Sequence, residues 1–201
     1  SSDNRRRFVD WALFHVEPDF YPHWRRFNRA LKQRNALLKT QPSANELAPW
    51  DIEFAEAGEV VNQYRKSYLT QLFPYFSELA HTFLPESEQA EMQFICGWRE
   101  ELALQDALRI NLERDRAAGF CTIGPHRADW KTRMNQQMLA EHFSRGQAKL
   151  LALAAMMAQA QHFHAQTKIW PVLCFDDLAS ELDQRHLNGV LTQLSGTAAQ
   201  I

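Results

Sequence analysis

Between residues 19 and 84 apolar side chains return every three or four positions, the spacing of one face of an α-helix. This pattern limits the chain more than any other feature, because two long one-sided helices must bury their apolar stripes against something. In the stretch 19–39, Phe20, Trp24, Phe27, Leu31 and Leu38 fall within about 60° of arc at roughly 100° per residue. Arg25, Arg29, Lys32 and Lys39 lie on another face. In the stretch 47–84 the recurring residues are Trp50, Phe54, Val61, Tyr64, Tyr68, Leu72 and Phe76, with Pro74 expected to interrupt or kink the helix. The polar linker Thr40-Gln41-Pro42-Ser43-Ala44-Asn45 separates them, so the spacing predicts an antiparallel helical hairpin. Only seven glycines and eight prolines punctuate the chain, which favours long helices over a many-turned β-sandwich.

Around that hairpin, Asp3 is the expected cap of a first helix reaching about His15, which Glu17-Pro18 ends. Residues 92–96 read as a short strand, and 99–116 as a helix stopped by Gly119. From there the character becomes α/β: a strand at 120–123, a turn at Gly124-Pro125 and a strand at 129–133. Ser144 opens an apolar helix through 149–162, residues 170–175 suit a buried strand, and 178–194 closes as a helix. The predicted fold class is α/β (α+β): a mainly helical lobe over 1–118, then an α/β part over 119–201.

Charge is unevenly spread. Residues 1–40 carry a net +5, residues 41–118 a net −8 and residues 119–201 a net +1, for a total of −2. A globally basic nucleic-acid binder is excluded, so any phosphate contact must be local. The one candidate is the basic stretch from Arg5 to Lys39, with Arg25, Arg29 and Lys32 on the 19–39 helix as possible DNA contacts. The same face also reads as a merely solvated one. Arg34 lies near the apolar edge and is expected to pair with the second hairpin helix. Cys96, Cys121 and Cys174 are too far apart for a zinc knuckle, and read as buried free thiols in a reducing cytoplasm. His162 and His164 do not share a helical face as metal ligands would. No apolar run is long enough to span a membrane, and no signal peptide is visible.

The most specific motif is Val172-Leu173-Cys174-Phe175-Asp176-Asp177, an apolar run closed by two acids. In an open α/β sheet that is the layout of a nucleotide site at the carboxyl edge. Asp176 would hold Mg²⁺ through its water shell, and Asp177 would orient or deprotonate the water attacking a γ-phosphate. The acids could equally end a strand and cap the next helix. About thirty residues earlier, Phe143-Ser144-Arg145-Gly146-Gln147 places a hydroxyl and a glycine at a helix N-terminus, which suits an anion or a simple cap. Ser180-Glu181-Leu182-Asp183 follows the acids directly.

Signature loop, helix, acid-ended strand and Ser-Glu-Leu-Asp turn, in that order, resemble the second half of an ABC-type ATPase head. Within that group the chain is most similar to the RecF family of bacterial recombination mediators. The residues carrying the resemblance are Arg5-Arg6-Arg7-Phe8-Val9-Asp10-Trp11, His15-Val16-Glu17-Pro18, Leu31-Lys32-Gln33-Arg34-Asn35-Ala36-Leu37-Leu38, Gly124-Pro125-His126-Arg127-Ala128-Asp129, Ser144-Arg145-Gly146-Gln147 and Asp176-Asp177-Leu178-Ala179-Ser180-Glu181-Leu182-Asp183.

The resemblance implies ATP and Mg²⁺ as cofactors and an ATP-dependent homodimer. Asp177 would be catalytic and Asp176 the Mg²⁺ site. Ser144, Arg145, Gly146 and Gln147 would touch nucleotide held by the partner copy, with Ser180, Glu181, Leu182 and Asp183 along the dimer seam. It also implies a cytoplasmic DNA-repair role at single-strand gaps with RecO and RecR, assisting RecA loading, and no membrane. Two departures stand out: Phe143 where leucine is usual, and aspartate rather than glutamate as the second acid. No glycine here leads into Gly-Lys-Ser/Thr, so the chain reads as a fragment without the phosphate cradle, expected to be inactive alone as an ATPase. The alternatives are a head fragment of another SMC- or ABC-type ATPase, or a non-enzymatic helical interaction module. Arg127 could reach phosphate or fix a strand end.

Overall fold

The computed structural model describes residues 1–85, 90–134, 137–138, 144–175 and 184–197. The elements are α1 (Ser2–Val16), α2 (Phe20–Leu38), α3 (Ala44–Phe83), β1 (Ala90–Ile95), α4 (Leu104–Ile110), α5 (Leu112–Ala118), a 3₁₀ turn (Pro125–Arg127), β2 (Asp129–Met134), β3 (Gln137–Met138), α6 (Arg145–Thr167) and α7 (Gln184–Ser195). Strands order β1-β2-β3, with β2 and β3 antiparallel in the register Arg133↔Met138. The α/β architecture with a helical hairpin is therefore present. The chain divides into two compact units, 1–68 with 94–130 and 69–93 with 131–201.

In the first unit α2 and α3 form the hairpin. Phe20 meets Tyr64 edge-on (5.8 Å), Phe27 meets Phe54 (5.3 Å), and Leu38 clusters with Leu47, so the two helices run in opposite directions. Phe20, Phe27, Leu38, Leu47, Phe54 and Val61 are buried, as their common spacing requires. Ser43 starts α3 with a reciprocal cap: its backbone N–H donates to Glu46 Oε2 (2.8 Å), and Glu46 N–H donates to Ser43 Oγ (3.4 Å). The helix continues past Pro74 instead of ending there.

Three local expectations are corrected. The first helix is capped by Ser1, whose hydroxyl accepts from Asn4 N–H (3.5 Å), while Asp3 sits in the first turn and pairs with Arg7 (3.0 Å). The predicted 99–116 helix begins only at Leu104, because Leu104 N–H is taken by Glu59 Oε1 (2.6 Å) and Trp98 Nε1 donates to Leu102 O (3.0 Å). It is also split at Asn111, though Gly119 does close it in the left-handed region at φ 71°. Residues 120–123 form no strand, since side chains claim the backbone groups a ladder would use. Cys121 N–H donates to Asn35 Oδ1 (2.7 Å), Thr122 N–H donates to Asp115 Oδ1 (2.8 Å), and Cys121 O accepts from His126 Nε2 (2.9 Å).

In the second unit the apolar α6 buries Leu150, Leu151, Ala154, Met157 and Ala158, and the ring of His162 stands edge-on to Tyr75 (5.7 Å). The expected buried strand at 170–175 is a correction too. These residues carry no strand ladder, Ile169 and Val172 are about two-thirds exposed (65% and 63%), and Cys174 is exposed. An apolar run becomes a buried strand only when neighbours take its N–H and C=O groups, and among the described residues none does.

Candidate functional site

In the second unit the sequence Ser-x-x-Gln dictates how α6 begins. Ser144 is its N-cap: the hydroxyl accepts from Gln147 N–H (3.2 Å), and Ser144 N–H donates to Gln147 Oε1 (3.0 Å). That fixes the first turn while leaving the serine hydrogen available to donate. Ser144, Arg145 and Gly146 are exposed and Gln147 is half-buried. Helix geometry gives the first-turn N–H groups no intrahelical partner, and the dipole makes this end positive. No acidic residue occupies the first turn, and a Cβ at Gly146 would meet nothing nearer than Ser144 Oγ at 3.9 Å. The end of α6 is thus capped and exposed, with the Gln147 N–H taken by Ser144 Oγ (3.2 Å) and the N–H groups of Arg145 and Gly146 ahead of it in the first turn.

The remaining members of the predicted nucleotide site, Asp176, Asp177, Ser180, Glu181, Leu182 and Asp183, lie outside the described residues. Just before them His164 and Trp170 stack at 4.4 Å with planes 10° apart. Among the described residues no group of three or more His, Cys, Asp or Glu side chains could hold a metal, and no helix is long and apolar enough to cross a membrane.

In the first unit Arg25, Arg29 and Lys32 are all exposed along α2. Arg25 lies over the Tyr21 ring (5.9 Å). The other α2 arginines are committed to structure. Arg26 is bidentate to Glu53 (2.8 and 2.7 Å). The fully buried Arg34 pairs with Asp51 of α3 (2.6 Å), as expected, and with buried Asp115 (2.5 Å). Its Nη1 also lies 2.8 Å from Cys121 Sγ, and burial pushes that thiol up to about 11.

A second buried network, invisible in the sequence pattern, secures the Gly-Pro-His-Arg turn. Asp10 accepts from Arg65 Nε (2.7 Å) and Nη2 (2.8 Å) and from Trp24 Nε1 (3.2 Å), while Arg65 Nη1 donates to Pro125 O (2.7 Å). Arg5 is bidentate to Asp129 (2.7 Å twice), and Arg6 donates to Ala128 O (2.8 Å). These arginines fix the start of β2, whereas Arg127 is exposed over the ring of Phe120 (5.6 Å). The signal for these arginine pairs lies in separations of 55 to 124 residues, beyond any periodicity.

No protein-family model matches the chain. It is similar to the DNA replication and repair protein RecF of Stenotrophomonas maltophilia (strain R551-3), 50% identical over 198 residues. The RecF proteins of Xanthomonas axonopodis pv. citri (strain 306) and Vibrio cholerae serotype O1 are 47% and 41% identical. Each comparison covers 98% of this chain and 54% of the relative, so the chain spans about half the length of these relatives. Among solved structures, the recombination mediator protein RecF-ATP in the RecFOR pathway superposes with a TM-score of 0.86 at 25% identity, covering 100% of this chain and 57% of that one. A second RecF structure has the same TM-score at 24% identity, which speaks for the fold. The likeness to RecF read from the motifs therefore holds across nearly the whole chain.

Proposed function

We propose that this chain supplies the helical lobe and the signature-bearing part of the ATPase lobe of a RecF-type DNA-repair protein. The observation that carries the reading is the capped, exposed end of α6, whose Ser144 hydroxyl and first-turn N–H groups suit a phosphate, in a chain similar to RecF over 98% of its length.

On this reading residues 1–118 are the helical lobe and 119–201 the ATPase part. Ser144, Arg145, Gly146 and Gln147 contact ATP bound by a second copy. Ser180, Glu181, Leu182 and Asp183 line the seam between copies, and Asp177 orients the attacking water. Mg²⁺ placed by Asp176 would neutralise charge on the transferred phosphate. ATP is then an interfacial ligand, so dimerisation is linked to nucleotide by mass action. Arg25, Arg29 and Lys32 contact DNA phosphates. Cytoplasmic recombinational and gap repair with RecO and RecR, assisting RecA loading, is the corresponding role.

Ser144→Arg in a RecF-length protein carrying this chain tests the reading. It should abolish ATP-driven dimerisation in sedimentation while monomer ATP binding stays intact. Unimpaired dimerisation would remove Ser144 from the seam.

A further inference from the structure

Ser144 is held at three points. Its N–H donates to Gln147 Oε1 (3.0 Å), its Oγ accepts from Gln147 N–H (3.2 Å), and its carbonyl accepts from Ala148 N–H (3.0 Å). Only the last is an ordinary helical bond; the other two come from one residue. The backbone of Ser144 is extended (φ −63°, ψ 157°), so no helical ladder fixes its amide end. The Gln147 carboxamide does so instead. A backbone N–H can only donate, so Oε1 faces Ser144 and Nε2 is turned away from it. With Oγ already accepting from Gln147 N–H, the hydroxyl hydrogen is what Ser144 has left to donate. Ser144, Arg145 and Gly146 are exposed, whereas Gln147 is half-buried behind them.

We infer that Gln147 is a positioning residue: it aims the Ser144 hydroxyl at the phosphate of a nucleotide bound by the second copy, and its effect on that nucleotide passes through Ser144. The inference rests on the reading of Ser144 at the seam. It goes further by separating, within the loop, the residue that donates from the residue that holds it. A hydroxyl–phosphate hydrogen bond is charge-assisted and directional, so its strength depends on where the hydroxyl points. A serine free to turn about its own backbone would lose part of that bond to the cost of being ordered on binding. Folding has already ordered a serine bonded at both its N–H and its Oγ, so binding need not.

A double-mutant cycle in a RecF-length protein carrying this chain tests the inference, with ATP-dependent dimerisation read by sedimentation and stability by urea unfolding. Gln147→Met keeps the side-chain length and removes the acceptor. Ser144→Ala removes the hydroxyl but keeps the N–H, so Gln147 still caps α6 in that background. Alone, Gln147→Met should weaken dimerisation about fivefold, the effect of losing one cap hydrogen bond. Added to Ser144→Ala it should weaken dimerisation no further, while lowering the urea midpoint equally in both backgrounds. A role confined to helix stability would weaken dimerisation in both backgrounds alike. That additive result, which a direct contact of Gln147 with nucleotide would also give, overturns the inference, and so does a Gln147→Met protein that dimerises as wild type. In either case a weakened Ser144→Ala protein leaves the seam reading standing. If Ser144→Ala itself dimerises as wild type, the seam reading fails and the inference falls with it.

Discussion

His126 enters the first unit with one ring nitrogen satisfied and one not. Nε2 donates to Cys121 O (2.9 Å), and Nδ1 is buried without a hydrogen-bond partner. The ring lies between Phe27 (6.5 Å) and Phe54 (6.1 Å). Burial pushes its pKa down to about 4, opposed first by the hydrogen bond to Cys121 O and last by Asp115, and reinforced by the nearby charges of Arg127 and Arg6. A folded value below the unfolded one means that the unfolded chain takes up the proton first as pH falls. The neutral ring's stabilisation is therefore complete above the ordinary histidine value of about 6.5 and is lost progressively down to about 4. Urea unfolding at pH 7.5 and pH 5 should show a loss of about 2 kcal/mol from this group. His162, also pushed down by burial, adds a loss of the same sign. The contribution of His126 is therefore read as the difference from His126→Gln, which should lack it. Equal pH dependence in the two proteins would show that His126 titrates normally.

Two glycines decide where the end of β1 meets the loop before β2. Gly124 N–H donates to Gly97 O (3.0 Å), and Gly124 adopts φ 126°, closed to ordinary side chains. A Cβ on Gly97 would come within 2.8 Å of Ala128 N and closer still to Gly124 O, both rigid backbone atoms. Gly97→Ala should therefore destabilise by about 3 kcal/mol or more in denaturant titration, against about 1 kcal/mol for Gly119→Ala, where open space surrounds the Cβ. Similar losses at the two positions would refute the close approach. Legibility divides along the same physics. The hairpin, the Ser144 cap, the Gly119 stop and the Arg34 ion pair all follow from spacing within one helix or between neighbouring helices, and the sequence displays that spacing directly. The failures at 99–103, 120–123 and 170–175 turn on partners that helical or strand spacing does not reveal. Glu59, Asn35 and Asp115 take the backbone groups of the first two, and the third carries an apolar composition without a ladder.

At the scale of the whole molecule, the proposed mechanism divides labour between two copies. The described part offers a capped helix end with an exposed serine, and the acids that would act on phosphate follow in the segment 176–183. One copy's acids and another copy's serine would share a nucleotide, so the lifetime of the dimer reports on hydrolysis. Asp177 is a shorter side chain than the glutamate usual at this position in ABC-type heads, which suits slow turnover and a persistent closed state. Asp177→Asn keeps the size and hydrogen-bonding reach of the side chain but cannot take a proton from water. In a RecF-length protein it should leave ATP affinity unchanged and extend the ATP-bound dimer's lifetime at least about tenfold, because the step that removes the interfacial contacts is blocked. Exchange of labelled subunits after adding ATP measures that lifetime directly. A lifetime equal to wild type would assign water activation to another residue, and reduced ATP affinity would place Asp177 in nucleotide binding instead.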